Sequence, residues 1–273
     1  MTVTAARELT TQDVREVTSE EVATYNREGW VKLPGLISPD VAAELLSIAR
    51  ATKEAGGGFS VAGGAFWGDV NLATSGKNDA ARALALGPMM ARNASTLIGR
   101  SRLTDREIEI QYFSDSYSCK PPQAAGTPYH QDFSERAQDR GGALTFWIAL
   151  DEVAPNQGGM CFLQGSHHEG QLGSLYFDGE HPADGMDLLG RYPKLPELFP
   201  STEPMTYQPG DATVHNTYIV HGAPPNTHDQ ERWSYLTSYF PSDALYDGAP
   251  NHFATPLGLT RGMRFKGLPV VYP

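Results

Sequence analysis

The chain has 273 residues, of which 21 are basic and 32 acidic, so its formal net charge at pH 7 is −11. This length suits a single sandwich or barrel with a large core, and the acidic balance argues against nucleic acid or an anionic membrane as a partner. No apolar stretch is long enough for a membrane span, and the N-terminus lacks the apolar centre of a secretory signal. The two cysteines form no disulfide framework, which favours a cytoplasmic location.

Helices are predicted in the first part of the chain. Residues 1–18 carry few large apolar side chains and are predicted to form a flexible tail. A first helix is predicted from Ser19, as its cap, to Glu28, where Gly29 ends it. A second helix is predicted from Ser38 to about Lys53, and an alanine-rich helix from about Asp79 to Ile98.

Short apolar runs bounded by Gly, Pro and Asn predict strands from residue 107 onward. The predicted strands are Glu107–Phe113, Tyr129–Phe133, Ala143–Leu150, Met160–Leu163, Met205–Gln208, Ala212–Val220 and Trp233–Phe240. Many short strands indicate a sandwich or barrel, so residues 19–273 are predicted to form one mainly β domain with flanking helices. Residues 55–78 and 168–203 are rich in glycine and proline and are predicted to be lids.

Four residues indicate a metal site. His130 and Asp132 are two positions apart, so on an extended strand both side chains point to the same face, and His221 can join them from a distant strand. Two histidines and one carboxylate are the facial triad of non-haem Fe(II) enzymes. Arg232, shortly after His221, offers a permanently charged fork for a carboxylate beside the metal, which indicates iron together with 2-oxoglutarate.

Further short motifs occur along the chain before these four residues and between them. They are Val22–Val31, Leu33–Ser38, Lys120-Pro121-Pro122, His130-Gln131-Asp132, Trp147, Asn156-Gln157-Gly158-Gly159, Gly165-Ser166-His167, Pro209-Gly210-Asp211, His221-Gly222, Asn226 and Arg232. In this series the chain resembles the phytanoyl-CoA dioxygenase family of Fe(II)/2-oxoglutarate oxygenases, from about Ser19 to about Pro241.

The resemblance implies a double-stranded β-helix, a cupin-like jelly-roll barrel with the metal inside one mouth. It implies Fe(II), 2-oxoglutarate and O₂ as cofactors and cosubstrates, and it places Trp147 against the 2-oxoglutarate. Ser234 would share a strand face with Arg232, and Gln111 and Lys120 are weaker candidates for cosubstrate contacts. Ala223 departs from the family, in which a serine or threonine is common at this position.

The substrate is expected to be a small organic molecule, and the sequence carries no signal for a particular oligomeric state. Aromatic residues are predicted to line its pocket. They are Phe66, Trp67, Tyr112, Tyr176 and Phe177. The resemblance favours natural-product tailoring by hydroxylation, epimerisation, cyclisation or desaturation. Related halogenases carry a small residue in place of the carboxylate ligand, so Asp132 favours oxygenation.

Several alternatives stay open from the sequence. His215 competes with His221 as a ligand, but on one continuous predicted strand the two would lie about 20 Å apart, and the family pattern favours His221. A cupin-like metalloenzyme that does not use 2-oxoglutarate is a second possibility, although Arg232 speaks against it. A non-catalytic jelly-roll binding module is the third.

Overall fold

The computed structural model describes residues 9–61, 66–72, 78–99, 109–173, 187–249, 257–265, 268 and 270–271. The helices span Ser19–Glu28 (α1), Pro39–Glu54 (α2), Asp79–Ala85 (α3), Pro88–Ile98 (α4), Leu188–Arg191 (α5) and Leu195–Leu198 (α6). The strands span Trp30–Leu33 (β1), Phe59–Val61 (β2), Phe66–Leu72 (β3), Ile110–Lys120 (β4), Thr127–His130 (β5), Leu144–Ala149 (β6), Cys161–Phe162 (β7), Ala212–Asn216 (β8), His221–Ala223 (β9), Arg232–Pro241 (β10) and Val270–Val271 (β11). Over these residues, no helix combines the length and apolar character needed to cross a membrane.

The strands form two antiparallel sheets. The major sheet has the order β1-β8-β6-β10-β4-β3-β2, and β11 pairs with β4 as well. The minor sheet has the order β5-β9-β7. Two antiparallel sheets with flanking helices agree with the predicted mainly β class and with a jelly-roll architecture.

The two faces of the major sheet differ in chemistry. On β10, Tyr235 and Tyr239 belong to the large apolar core. The Tyr239 hydroxyl donates to Ala85 O of α3 (2.8 Å), and the Tyr235 hydroxyl donates to Asp115 Oδ2 (2.8 Å). Because side chains alternate along a strand, Arg232 and Ser234 point to the opposite face. We call this the inner face. Although Arg232 and Ser234 are polar, both are buried there.

The segment before α1 is packed rather than free. Val14 is 1% exposed and forms a bridge with Ile37, and the side-chain amide of Asn93 on α4 bonds to the backbone of residues 15 and 17. The predicted flexible tail is therefore wrong for residues 9–18, and residues 1–8 lie outside the described residues. Thr18, not Ser19, caps α1, in a capping box with Glu21.

Two other predicted boundaries change. The alanine-rich helix is divided into α3 and α4 because Gly87 and Pro88 interrupt it, and proline is suited to the first position of a new helix. The predicted strand 212–220 ends at Asn216, after which a turn leads into β9. The predicted strand 205–208 is reduced to one bridge, between Val153 and Tyr207.

The first predicted lid is an extension of the major sheet. Within residues 55–78, β2 and β3 form a hairpin that pairs with β4, while residues 62–65 and 73–77 lie outside the described residues. Trp67 on β3 points to the outer face, where its ring meets Trp233 edge-on at 5.8 Å and its Nε1 donates to Gly57 O at 2.9 Å. The predicted role of Trp67 as a substrate wall is wrong, because the sheet separates it from the inner face.

Replacing Trp67 by alanine should therefore reduce stability. Full truncation of a core aromatic costs about 3 to 5 kcal/mol, and we expect about 2 to 3 kcal/mol here because Trp67 is only half-buried. The free energy of unfolding in urea measures the loss. Phe59→Ala is the matched control, since Phe59 lies on the same hairpin but is 54% exposed. Equal effects of the two substitutions would contradict this packing.

Candidate functional site

Three side chains converge between the two sheets. His130 ends β5 and His221 begins β9, and the two are direct cross-strand partners in the minor sheet. Asp132 begins the short 3-10 helix Asp132–Glu135 that follows β5. One ligand atom from each of the three residues lies within 4.8 Å of the other two. This is close enough for one metal ion to bind all three.

Both histidines present the same nitrogen to the centre of this group. His130 Nδ1 lies 2.8 Å from Pro128 O, and His221 Nδ1 lies 3.0 Å from Ile219 O. A carbonyl oxygen only accepts, so each Nδ1 carries the proton and each Nε2 keeps its lone pair. Second partners of this kind fix the tautomer and ring orientation of histidine ligands in metal sites.

Charges around Asp132 and His221 suit metal ligation. Burial would raise the pKa of Asp132, but a hydrogen bond from His215 and the charge of Arg136 hold it well below its usual range. Burial, with neighbouring imidazoles, holds the pKa of His221 well below its usual range. At neutral pH the carboxyl group is therefore ionised and the imidazole neutral, as metal ligands require.

A pair of buried cations lies on the inner face, away from the triad. Lys120 and Arg232 are direct partners on β4 and β10 and are 1% and 4% exposed. Their hydrogen bonds are to carbonyls: Lys120 Nζ to Pro224 O and Arg232 Nη1 to Gly158 O, both 2.8 Å. Burial and the charge of Arg232 lower the pKa of Lys120 to about 7, and burial lowers that of Arg232 to about 10. A counter-anion would stabilise the charged form of this pair.

Other predicted residues surround this cation pair. The ring of Trp147 lies 5.1 Å from the guanidinium carbon of Arg232. Ser234 shares the inner face with Arg232, and Thr213 is the cross-strand partner of Trp147. Among the described residues, the hydroxyls of Ser234 and Thr213 and the Nε of Arg232 are buried without a hydrogen-bond partner. Unpaired donors beside two cations are suited to bind a carboxylate.

Motif residues near the cations have structural roles. Gly158 has a φ of +69°, and a Cβ there would lie 2.6 Å from Pro224 O and 2.9 Å from Lys120 Cδ. Only glycine therefore allows its carbonyl to reach Arg232 while the lysine passes beside it. The amide of Asn226 donates to Lys120 O, Pro121 O and Gln230 O, and so joins the ends of β4 and β10.

Two predicted site residues lie elsewhere. Gln111 is at the other end of β4 from Lys120, and its amide donates to Phe265 O and Leu268 O, both at 2.9 Å, so it does not contact the cation pair. Tyr112 points to the outer face, where its hydroxyl donates to Asp115 and its ring meets Tyr239 edge-on. The predictions for both residues are wrong, because the register of β4 places them outside the site.

Three further aromatic residues are predicted to line the substrate pocket: Phe66, Tyr176 and Phe177. Phe66 alternates with Trp67 along β3 and so points to the inner face that bears Lys120. It stays a candidate for the substrate pocket. Tyr176 and Phe177 lie outside the described residues.

The second predicted lid, as far as it is described, packs over the minor sheet. Leu188 and Leu195 of this segment form an apolar cluster with Leu163 and Val220, next to His221. The amide of Gln131 bonds to Gly170 O (2.8 Å) and accepts from the Leu172 N–H (2.8 Å). The segment is thus tied to the residue between two of the proposed metal ligands.

Around Asp132, His215 lies closer than predicted, and two further residues that the sequence did not point to contact the carboxylate. The turn after Asn216 brings the His215 and His221 rings to 4.5 Å, so the predicted separation of about 20 Å is wrong. His215 Nε2 lies 3.3 Å from Asp132 Oδ2. Arg136 and Thr145 also bind this oxygen. The i, i+4 spacing of Asp132 and Arg136 was the available signal for Arg136.

Comparisons with known proteins agree with this geometry. The family model described as Phytanoyl-CoA dioxygenase (PhyH) matches residues 25–234. A probable alpha-ketoglutarate-dependent hypophosphite dioxygenase from Stutzerimonas stutzeri is 30% identical over 138 residues. That match covers 50% of this chain and 46% of the relative, so the chain spans about half the length of this curated relative.

Solved structures match over almost the whole chain. The carbocyclase SnoK from nogalamycin biosynthesis has a TM-score of 0.78 at 23% identity, covering 95% of this chain and 98% of SnoK. The epimerase SnoN in complex with Fe³⁺, alpha ketoglutarate and nogalamycin RO has a TM-score of 0.70 at 26% identity, covering 92% and 97%. The predicted fold class is confirmed by these likenesses.

Metal binding should depend on the triad. We expect His130→Ala and His221→Ala to lose stoichiometric Fe(II) or Co(II) binding, because each removes one of three ligands. Elemental analysis of protein loaded without oxygen measures the stoichiometry. His228→Ala is the control, since His228 lies in a surface turn with Asp229 as its partner. Wild-type metal content in His221→Ala would contradict the assignment.

Proposed function

Because the chain belongs to the phytanoyl-CoA dioxygenase family, we propose that it is a non-haem Fe(II)- and 2-oxoglutarate-dependent dioxygenase. The observation that carries the proposal is the combination of a facial triad with two buried cations, Lys120 and Arg232, whose hydrogen bonds within the described residues go to carbonyl oxygens and not to a carboxylate. A triad alone supports any of several metalloenzymes. The cation pair adds a site for a dicarboxylate.

The residues fit iron. His130 and His221 would each offer Nε2, and Asp132 a carboxylate oxygen, which together occupy one face of an octahedral ion. When bound, iron with 2-oxoglutarate and O₂ supplies the oxidising chemistry for an unactivated C–H bond. The chain's own part is to hold three ligands on one side, leave the other positions open and exclude bulk water.

The residues also fit 2-oxoglutarate. Arg232 and Lys120 would bind its distal carboxylate, Ser234 would donate a further hydrogen bond, and the Trp147 ring would lie along the cosubstrate. Thr145, which contacts Asp132, and Trp147 are two positions apart on the same face of β6. That separation is about 7 Å, so one short dicarboxylate can reach from the metal towards the cations.

The substrate would be a small organic molecule in natural-product tailoring. SnoN, an epimerase at 26% identity, forms a complex with nogalamycin RO, and its structural likeness covers 92% of this chain. Phe66 on the inner face is the remaining described candidate for a substrate wall. Asp132 favours oxygenation over halogenation, because the carboxylate takes the position that a halide would need.

The rival functions fit the cation pair less well. A cupin-like enzyme that does not use 2-oxoglutarate has no need of two buried cations on the inner face, and burying them costs folding free energy. A non-catalytic binding module would have no reason to retain three correctly oriented ligands. Measuring succinate formed from 2-oxoglutarate, with and without Fe(II), tests the proposal directly. No succinate from iron-loaded protein, with any candidate substrate, would overturn it.

Arg232 should control 2-oxoglutarate affinity. Arg232→Met should weaken binding by about 2 to 5 kcal/mol, the range for removing one partner of a buried charge pair. Arg232→Lys should restore only part of it, because an ammonium group cannot reproduce the planar fork. Calorimetric titration measures the affinity, with Arg92→Lys as the control because Arg92 pairs with Glu16 at the surface. Wild-type affinity in Arg232→Met would refute the role.

Lys120 should make cosubstrate binding depend on pH. With a pKa of about 7, Lys120 is largely neutral at pH 8.5, and a bound carboxylate favours its charged form. Binding should therefore take up a proton above pH 7, and affinity should fall as the pH rises. Titrations in buffers of different ionisation heat measure the uptake. Lys120→Met should abolish it, whereas exposed Lys194→Met should not. Equal uptake in Lys120→Met would disprove the assignment.

A further inference from the structure

The two oxygens of Asp132 have different surroundings. Oδ1 lies towards the triad, 3.5 Å from His221 Nε2 and 3.8 Å from His130 Nε2. Oδ2 points away and has three partners: Thr145 Oγ1 at 2.8 Å, Arg136 Nη2 at 3.1 Å and His215 Nε2 at 3.3 Å. One oxygen thus faces the metal position, and the other is held by protein donors.

These donors belong to one rung of the major sheet. Thr145 on β6 is the cross-strand partner of both His215 on β8 and Ser238 on β10. All three side chains therefore point to the inner face at the same level, opposite Asp132. Such a rung is set by strand register, so its side chains are placed more firmly than loop residues could be.

Arg136, the remaining partner of Oδ2, comes from the same segment of chain as Asp132 and not from the sheet. It follows Asp132 by one helical turn, and its buried guanidinium lies over the ring of Phe113 with a centroid distance of 4.8 Å. Its Nη2 also reaches Thr145 Oγ1 (3.0 Å) and Ser238 Oγ (3.2 Å). Moving Oδ2 away would separate this buried cation from its counter-charge, which is costly.

The hydrogen bond to Asp132 Oδ2 fixes which ring nitrogen of His215 carries a proton. The ionised carboxylate only accepts hydrogen bonds, so His215 Nε2 must carry the proton to bind Oδ2. A protonated nitrogen has no lone pair for a metal. The ring of His215 lies 4.5 Å from that of the ligand His221, yet the geometry makes it a donor to Asp132 and not a fourth ligand.

We propose that Arg136, Thr145 and His215 are positioning residues that hold Oδ2, so that Asp132 binds the metal through Oδ1 alone. This inference rests on the proposed function, because it concerns the same metal. A free Oδ2 could rotate onto the ion and occupy a fourth position. Holding Oδ2 leaves three positions, which is the number that a chelating 2-oxo acid and O₂ together require.

Thr145→Val tests the inference without changing charge or shape. Bound Co(II) reports on coordination through its visible spectrum and needs no turnover. We expect Thr145→Val to weaken Co(II) binding about 10-fold, the lower end of the range for losing an outer partner of a ligand, and to alter the spectrum. Thr145→Ser keeps the hydroxyl and should restore both. Thr237→Val is the matched control, because Thr237 is buried on β10 but points to the outer face.

His215 offers a second, independent test. His215→Leu should weaken Co(II) binding but retain one metal ion per chain, and His215→Gln, which keeps an N–H donor, should bind more tightly than the leucine variant. Circular dichroism and the thermal unfolding of metal-free protein identify any variant that fails to fold. For such a variant, the serine or glutamine replacement carries the comparison.

The outcomes separate the two proposals. Wild-type Co(II) affinity and spectrum in Thr145→Val, or a stoichiometric loss of metal in His215→Leu, would overturn the positioning role without contradicting the proposed function of the wild-type chain. If the wild-type chain itself bound no Co(II), the proposed function would fail at its first step, and the positioning role would fail with it.

Discussion

Lys120 and Arg232 lie side by side in the interior, and the repulsion between these two like charges is the constraint on which the site depends. Burial already opposes each charge, and the neighbour opposes it further, as the pKa of Lys120 at about 7 indicates. The carbonyls of Pro224 and Gly158 satisfy single donors but carry no charge. A bound dicarboxylate would relieve this cost and, because it binds only the folded chain, would stabilise the fold by mass action. In the absence of a bound anion, the folded chain therefore carries the electrostatic cost of burying Lys120 and Arg232 next to each other.

Much of the site could be predicted from the sequence, because side-chain alternation is a local rule. Residues two positions apart on an extended chain point to the same side. This rule predicts that His130 and Asp132 face one metal ion and that Ser234 shares the strand face of Arg232. His215 could not be placed in this way. Its predicted distance from His221 assumed one straight strand, whereas the chain turns after Asn216 and crosses from the major sheet to the minor sheet. The position of a turn between two apolar runs depends on tertiary pairing, which alternation alone does not encode.

Strand register explains why Trp67, Gln111 and Tyr112 lie outside the site in which the sequence predicts them. The sequence places Phe66 and Trp67 together as aromatic walls, but neighbouring residues on a strand face opposite sides, and only pairing with β4 decides which one faces inward. In the same way, a register shift in β4 near Phe113 separates Gln111 and Tyr112 from the serine-bearing part of the strand. Residues 9–18 appeared free because their apolar content is low. The burial of Val14, the amide of Asn93 and backbone hydrogen bonds with Leu36 and Ser38 hold them in place.

The charges of the site also bear on what it recognises. The chain as a whole is strongly acidic, yet the interior between the sheets holds Asp132 with Arg136 beside it and, further along the inner face, Arg232 and Lys120. A pocket of this kind focuses a positive potential that attracts a dianion despite the net charge of the protein. The same positive charge opposes a metal cation arriving alone. Binding of the dicarboxylate would lower that opposition, and by reciprocity the metal would raise the affinity for the dicarboxylate. Under the proposed function the cations would bind the cosubstrate, which would leave recognition of the substrate to uncharged surfaces such as that of Phe66.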